Sequence, residues 1–357
     1  MKPIWAALAL LGLAGCAQPV AQALYGPDSC RRVALIDAAN GQPILGGEDG
    51  AFEARSGMVF VSAYDRVAVE RATKSASAPA PLSGGVYAIA ASQLRQSSLR
   101  VSDVLGPVLP ENARPHGIDT LALEDGKVRL AAVNRAFLQD RDSGAWRMRP
   151  ELEIIEISDE GISLVSRILS PSLCRANDVA FTDPQALRVT LDRGICLGDG
   201  HPAVGGPALA KVSIDGAVTT QASPVAFPNG IAQIGEDLWI ASTLQGQLAH
   251  VQGARRVQMP GAPDNFTQDG KGRLIIALHP QIWRFALHRL GWPGFAKAPS
   301  RIVRYDPKRR SIAILFDDPD GKIFSGASFG LMAEGQLVLG AIREPGLLVC
   351  TQGEQPA

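Results

Sequence analysis

The stretch "PDNFTQDGKGRLIIALHP", Pro263 to Pro280, holds an Asp-Asn pair, a turn-rich polar run, an apolar segment and a closing histidine. Its core, "RLIIAL" (273–278), is short and apolar and follows the Gly-containing run "QDGKG", the pattern of a buried strand that leaves a tight turn. The pattern returns as "MVFVSA" (58–63), "VRLAAVN" (128–134), "LRVTLD" (187–192), "LWIAST" (238–243) and "LVLGAI" (337–342). Most of these follow runs such as "LEDGK", "TDPQA", "IGED" or "MAEGQ", and alternating segments such as "ELEIIEIS", "ALAKVSID" and "RIVRYD" lie between them. No series of long amphipathic helices interrupts the pattern. Repeats roughly 40 to 70 residues apart, each holding several strands, predict propeller blades rather than solenoid turns. The expected fold is all-β: a six-bladed β-propeller with four-stranded blades.

Composition is consistent with this. The chain has 357 residues, 46% hydrophobic and 20% charged, enough for a large core in one big β domain or two smaller ones. Lys plus Arg and Asp plus Glu balance at 35 each, so no net field is available to hold nucleic acid or an anionic membrane. Partners are therefore expected at local sites.

The N-terminus carries an export signal. "MKPIWAALALLGLAGC" sets Lys2 before an apolar run that ends on Leu13-Ala14-Gly15-Cys16, the tetrad cut before a lipid-modified cysteine in bacterial lipoproteins. The run is too short for a spanning helix. A leader over 1–15, a lipid-anchored linker over 16–29 with Cys16 as the lipidation site, and one propeller domain over 30–357 are expected. Either lipidation or plain cleavage implies an exported, periplasmic-type chain that meets the membrane only through its anchor. Removing Cys16 leaves Cys30, Cys174, Cys196 and Cys350, an even set suited to disulfides in an oxidising compartment, and their spacing fits no zinc pattern. Cys174 and Cys196 flank one strand and are close enough in sequence to pair locally. A Cys30–Cys350 bridge would tie the two ends of the ring together.

A ring gives the polar residues beside its strands a meaning. If the six apolar segments are the innermost strands, the residues just before them converge at one rim of the channel. Those residues are Glu48 and Asp49 in "GGED", His116 in "PHGID", Asn177 and Asp178 in "RANDVA", Asn229 in "FPNGIA", and Asp264 and Asn265 in "PDNFT". The sixth repeat offers only "FSGAS". Asn and Asp also form turns. Carboxylates facing one another across a channel repel unless a cation lies between them, however, and oxygen donors without clustered thiols or imidazoles select a hard ion, Ca²⁺ over Mg²⁺.

Taken in order, "GGED", "PHGI", "AND", "F-x-NG", "DN" and "HP" resemble the paraoxonase and arylesterase family of calcium-dependent six-bladed hydrolases. The resemblance spans about 30 to 350 and implies the Cys30–Cys350 disulfide and two Ca²⁺ ions. It implies a catalytic calcium held by Glu48, Asn177, Asn229, Asp264 and Asn265, and a structural calcium held by Asp49, Asp178 and the carbonyl of Ile118. His116 matches the proposed general base and His279 a further histidine at the mouth. One departure stands out: Arg135 occupies the place of the family's second histidine, and arginine cannot accept a proton, so a His-His relay is excluded.

The function expected is hydrolysis of lactones or aryl esters. Calcium polarises the carbonyl, and His116, or Asp264 in its place, accepts the proton of the attacking water. Arg135, Phe227 and Ser328 are expected to line the pocket, and no G-x-S-x-G elbow points to a serine nucleophile. The alternatives are a sugar lactonase of gluconolactonase type and a calcium-stabilised periplasmic propeller that only binds. The aromatic segment 282–299 is either a lid or an insertion packed outside the fifth blade. His279 reaches the metal mouth only if "TQDGKGR" folds the chain back, since a single strand would put Asp264 and His279 at opposite rims.

Overall fold

The computed structural model describes residues 23–73, 84–109, 113–140, 143–196 and 203–352. The leader, Cys16 and half of the linker lie outside these residues, as does His201. Within them, no helix is long and apolar enough to cross a membrane.

The fold is all-β, with its sheets arranged like the blades of a propeller. There are four four-stranded sheets, a two-stranded ribbon (Ile195–Cys196 with Ala203–Val204) and one eight-stranded sheet. Six strands lie innermost: Gly47–Glu53, Pro115–Ala122, Ala176–Asp183, Pro228–Ile234, Ala262–Gln268 and Ala327–Ala333. They stand side by side in sequence order, and the last packs against the first.

The apolar segments read from the sequence are therefore not the innermost strands. Met58–Ala63, Val128–Gln139, Ala186–Leu191, Asp237–Ser242, Leu274–His279 and Gln336–Ala341 each pair antiparallel with an inner strand and stand second in their sheets. They read as the most hydrophobic because second strands are covered on both faces by neighbouring sheets. The wedge between the first two inner strands, for example, holds Ala51, Phe60, Ile118 and Leu130, and a later wedge holds Trp239, Leu248, Ile276 and Tyr305. The innermost strands are shorter of apolar residues because they line the channel.

The expected separation into six sheets is replaced by four sheets and one double sheet. Strand Cys30–Asp37 pairs antiparallel with Leu347–Cys350 and also runs parallel to Ser98–Asp103, so it joins the first sheet to the last. Cys30 and Cys350 are register partners in that pairing and are disulfide-bonded, across a sequence separation of 320. Cys174 and Cys196 form the second disulfide, with a separation of 22.

Chain-entropy arguments assign about 6 kcal/mol to closing the longer loop and about 3 kcal/mol to the shorter one, before any strain is subtracted. Replacing Cys30 and Cys350 together by Ser should lower the unfolding free energy by about 3–5 kcal/mol, and replacing Cys174 and Cys196 by about 2–3 kcal/mol, in denaturant titrations. Equal losses for the two pairs would show that strand pairing alone holds the ring closed.

Candidate functional site

The polar residues singled out in the sequence lie inside the innermost strands rather than ahead of them. Each inner strand slips register against its partner at the same place: between Gly47 and Asp49, Pro115 and Ile118, Ala176 and Val179, Pro228 and Ile231, Pro263 and Phe266, and Ala327 and Phe329. A bulge of this kind re-aims consecutive side chains, and bulges are favoured beside active sites. The bulges carry Glu48-Asp49, His116-Gly117, Asn177-Asp178, Asn229-Gly230, Asp264-Asn265 and Ser328.

The two members of a bulge face different spaces. Glu48, His116, Asn177, Asn229 and Asp264 line a cavity of about 440 Å³ at one mouth of the ring. Asp49, Ile118 and Asp178 line a cavity of about 270 Å³ on the channel side, together with Asp119. Glycine at the second position of two bulges makes room for the neighbouring strand. A Cβ on Gly117 would stand 2.4 Å from the Cα of Asp178, and one on Gly230 would stand 2.5 Å from the carbonyl oxygen of Asp264. The "PHG" and "PNG" motifs thus record close backbone approach.

At the mouth, both oxygens of Glu48 have a close neighbour. Arg66 bonds Oε2, and His116 Nδ1 lies 2.9 Å from Oε1. Burial opposes ionisation of Glu48, but Arg66 and then His116 outweigh it and hold the carboxyl well below its usual range. Burial, reinforced by the Arg135 guanidinium, pushes His116 down to about 3. Asp264 accepts a hydrogen bond from Asn229 Nδ2 at 2.5 Å on Oδ1, and its Oδ2 lies 2.9 Å from His279 Nε2. His279 gets there because 262–268 and 274–279 form a hairpin whose register sets Ala262 opposite His279. Its ring stacks on Phe285, with centroids 3.4 Å apart.

Three amide oxygens are left over. Oδ1 of Asn177, Asn229 and Asn265 are buried and have no hydrogen-bond partner. Buried carbonyl oxygens of this kind normally find a donor. Among the described residues no three His, Cys, Asp or Glu side chains are placed to hold a metal by themselves. A cation here would depend on these amide oxygens in addition to Glu48 and Asp264, a donor set that fits a hard ion.

On the channel side the carboxylates bond backbone amides of the next inner strand. Asp49 Oδ2 accepts from Ile118 N, Asp178 Oδ2 from Ile231 N, and Asp119 Oδ2 from Phe181 N, each at 2.8 Å. Neither Asp49 nor Asp178 is ion-paired among the described residues. Burial, the largest effect, raises Asp49 to about 8 and Asp178 well above its ordinary value, and the charge of Asp49 adds to the rise at Asp178. Asp119, raised to about 6 by burial, is a channel acid that the sequence reading missed because it lies two residues beyond its bulge.

Other expected residues divide. Arg135 and Phe227 line the mouth cavity. Ser328 does not: it is fully buried, and its hydroxyl donates to the Glu48 carbonyl at 2.6 Å, so it ties the last inner strand to the first. Asn265 behaves in a similar way, with Nδ2 donating to the Glu48 carbonyl at 2.8 Å. Two helices wall the cavity. The first, α1 (Arg66–Ala72), brings Arg66 and starts on Asp65, which accepts from Ala68 N at 2.9 Å. The second, α2 (Ile282–Arg289), brings Phe285 and Arg289 from the segment expected as lid or outer insertion. The run "AYDRVAVERA" carried the N-cap signal for α1, but nothing in its spacing pointed at Glu48.

No protein-family description matches the sequence, and no curated protein matches it. Among solved structures, the chain superposes on a protein assigned by family as a gluconolactonase, at 14% identity and a TM-score of 0.51 over 90% of this chain and 92% of that one. A regucalcin from Agrobacterium tumefaciens, described as calcium-binding, gives 14% identity and a TM-score of 0.48 over 89% and 94%. A luciferin-regenerating enzyme gives 13% identity and a TM-score of 0.45 over 89% and 95%. At such identities the likeness to the first of these is one of fold: a β-propeller.

The raised Asp49 gives a pH test. Its folded-state value lies above its unfolded one, so the folded chain binds the extra proton between about pH 4 and pH 8, and stability falls as pH rises through that window. In chelator, the thermal midpoint should drop across the window, and Asp49→Asn should flatten the drop. Added calcium should flatten it too, because a cation between the acids favours their charged forms. A midpoint that rises with pH in chelator would contradict the buried, unpaired state of these acids.

Proposed function

We propose that this chain is a calcium-dependent hydrolase of lactones or aryl esters, built on a six-bladed ring obtained by dividing the eight-stranded sheet at its parallel pairing. The observation that carries the reading is the pair of partnerless amide oxygens of Asn177 and Asn229, which line the mouth beside the carboxylates of Glu48 and Asp264, with the partnerless Oδ1 of Asn265 next to Asp264 in the same bulge. These five residues would hold one calcium, and Asp49, Asp178 and the Ile118 carbonyl a second. The mouth ion, when bound, supplies Lewis acidity toward a substrate carbonyl.

The protein's own groups supply the rest. His116 stays neutral at ordinary pH, because burial and Arg135 oppose its protonation. Glu48 Oε1 lies 2.9 Å from its Nδ1, out of line for a hydrogen bond but close enough to favour the proton there, which leaves Nε2 to accept a proton from water. The Asp264–His279 pair is the other proton acceptor within the cavity, oriented by the Asn229 amide and by the stack on Phe285. The apolar wall formed by Phe137, Met148 and Phe285 excludes water from the acyl part of a bound ester. We propose further that the chain works outside the cytoplasm, anchored through Cys16, as its two disulfides suit an oxidising compartment.

One observation favours a second reading, a calcium-stabilised propeller that binds without catalysis: Arg66 is bonded to Glu48, where it competes with a metal. A panel of lactones and aryl esters, assayed with calcium and with chelator, separates the two. Hydrolysis should vanish on chelation and return with calcium, and Asn229→Ala or Asp264→Asn should lower kcat/KM by about 100-fold or more. Calcium that raises the thermal midpoint while every substrate survives would establish the binding propeller instead. With His116 as proton acceptor, kcat/KM should stay level from about pH 7 down to about pH 5. An acidic limb near the ordinary imidazole value of about 6.5 would point to a different group.

A further inference from the structure

The mouth cavity holds cations that its own acids do not neutralise. Arg66 is bonded to Glu48, and Arg175 and Arg193 share Asp192. Asp264 is engaged by Asn229 and His279. That leaves Arg135 and Arg289, both lining the cavity and neither ion-paired among the described residues. Arg135 gives Nη2 to the Ala176 carbonyl at 3.4 Å, while its buried Nε has no partner. Burial lowers Arg135 to about 10, and Arg66 lowers Arg289, so both guanidiniums are held where charge is opposed. Glu70 attracts Arg289 but lies beyond ion-pair distance. A cation bound by Glu48 and Asp264 would add to the positive excess.

A guanidinium with a partnerless N–H in a concave, half-apolar site is suited to a planar anion, which it binds through paired hydrogen bonds. We propose that the cavity selects a substrate bearing a free carboxylate, held by Arg135 and Arg289, with its carbon chain along Phe137, Met148 and Phe285. The reacting bond rests on the hydrolase reading above; the anion site does not. Hydrolysis adds one water: the acyl C–O bond breaks, the acyl carbon gains the hydroxyl, and the leaving oxygen takes the proton. The product of a carboxylated lactone is then a hydroxy-dicarboxylate.

The test compares a γ-butyrolactone carrying a ring carboxylate with neutral γ-valerolactone, and measures glutarate binding to the full chain in calcium by calorimetry. The carboxylated lactone should be preferred in kcat/KM by about 10- to 100-fold, the effect of one charge-assisted pair. Arg135→Met and Arg289→Met should each bring the ratio toward one and weaken glutarate, and Arg289→Lys should recover part of both. The ratio and the binding are read only on variants whose circular dichroism matches the parent. Turnover of both lactones at a ratio near one, without glutarate binding, overturns the carboxylate inference and leaves the hydrolase reading intact. Glutarate binding that Arg135→Met weakens, with no lactone or ester hydrolysed, supports the anion site and sinks the hydrolase reading.

Discussion

Side-chain hydrogen bonds between neighbouring inner strands are the interaction on which the ring depends. Inner strands from adjacent sheets are not paired by backbone ladders, so the polar groups at their bulges must be satisfied across the gap. Second strands help to bridge the gap: Ser62 donates to the His116 carbonyl at 2.5 Å and Thr190 to the Asn229 carbonyl at 2.7 Å, and Thr243, just past a second strand, donates to the Pro263 carbonyl at 2.7 Å. Asn265 and Ser328 both donate to the Glu48 carbonyl, which joins the end of the circle to its start. Asp49, Asp119 and Asp178 work in the other direction, accepting from the amides of the following strand. Residues that could hold ions are therefore also residues that hold the sheets in register, and their positions are fixed by the fold before any ligand arrives.

The two faces of the bulges differ in electrostatics. On the channel side, the acids have no ion-pair partner among the described residues, and burial drives them toward the protonated form. At the mouth, guanidiniums outnumber the acids available to them, and His116 is driven toward its neutral form. A few ångströms of backbone thus separate a site that wants positive charge from one that already has it. Arg66 is central to the difference, since it takes one oxygen of Glu48 and repels Arg135 and Arg289.

Much of this was legible in the sequence because it is written in local motifs. Strand segments announce themselves by apolar runs after Gly-rich turns, and Asn or Asp recurs in four of the six bulges, with His116 and Ser328 in the other two. The order of strands within a sheet is not legible: apolar content points to the second strand, whereas the innermost strand is the one with polar residues to present. His279 came close to Asp264 through the hairpin that "TQDGKGR" allows, a turn signal readable from its glycines. Ser328 was misassigned because a hydroxyl in a loop motif looks the same whether it faces a ligand or a carbonyl. Arg66 and Arg289 escaped notice altogether, as both arrive on helices whose docking onto the mouth depends on contacts distant in sequence.

The closing strand has a consequence for how the molecule is made. Cys30–Asp37 pairs on one side with Ser98–Asp103 and on the other with Leu347–Cys350, among the last residues to leave the ribosome, so that second edge stays unpaired until synthesis is nearly over. Oxidation in order of emergence would join Cys30 to Cys174, and Cys196 to Cys350. Neither pair is bonded in the folded chain. Reaching the native pairing then requires either that Cys30 wait as a thiol or that an early bridge be exchanged. The ring's seam is in this sense a timing problem, set by the chain running full circle before its ends can meet.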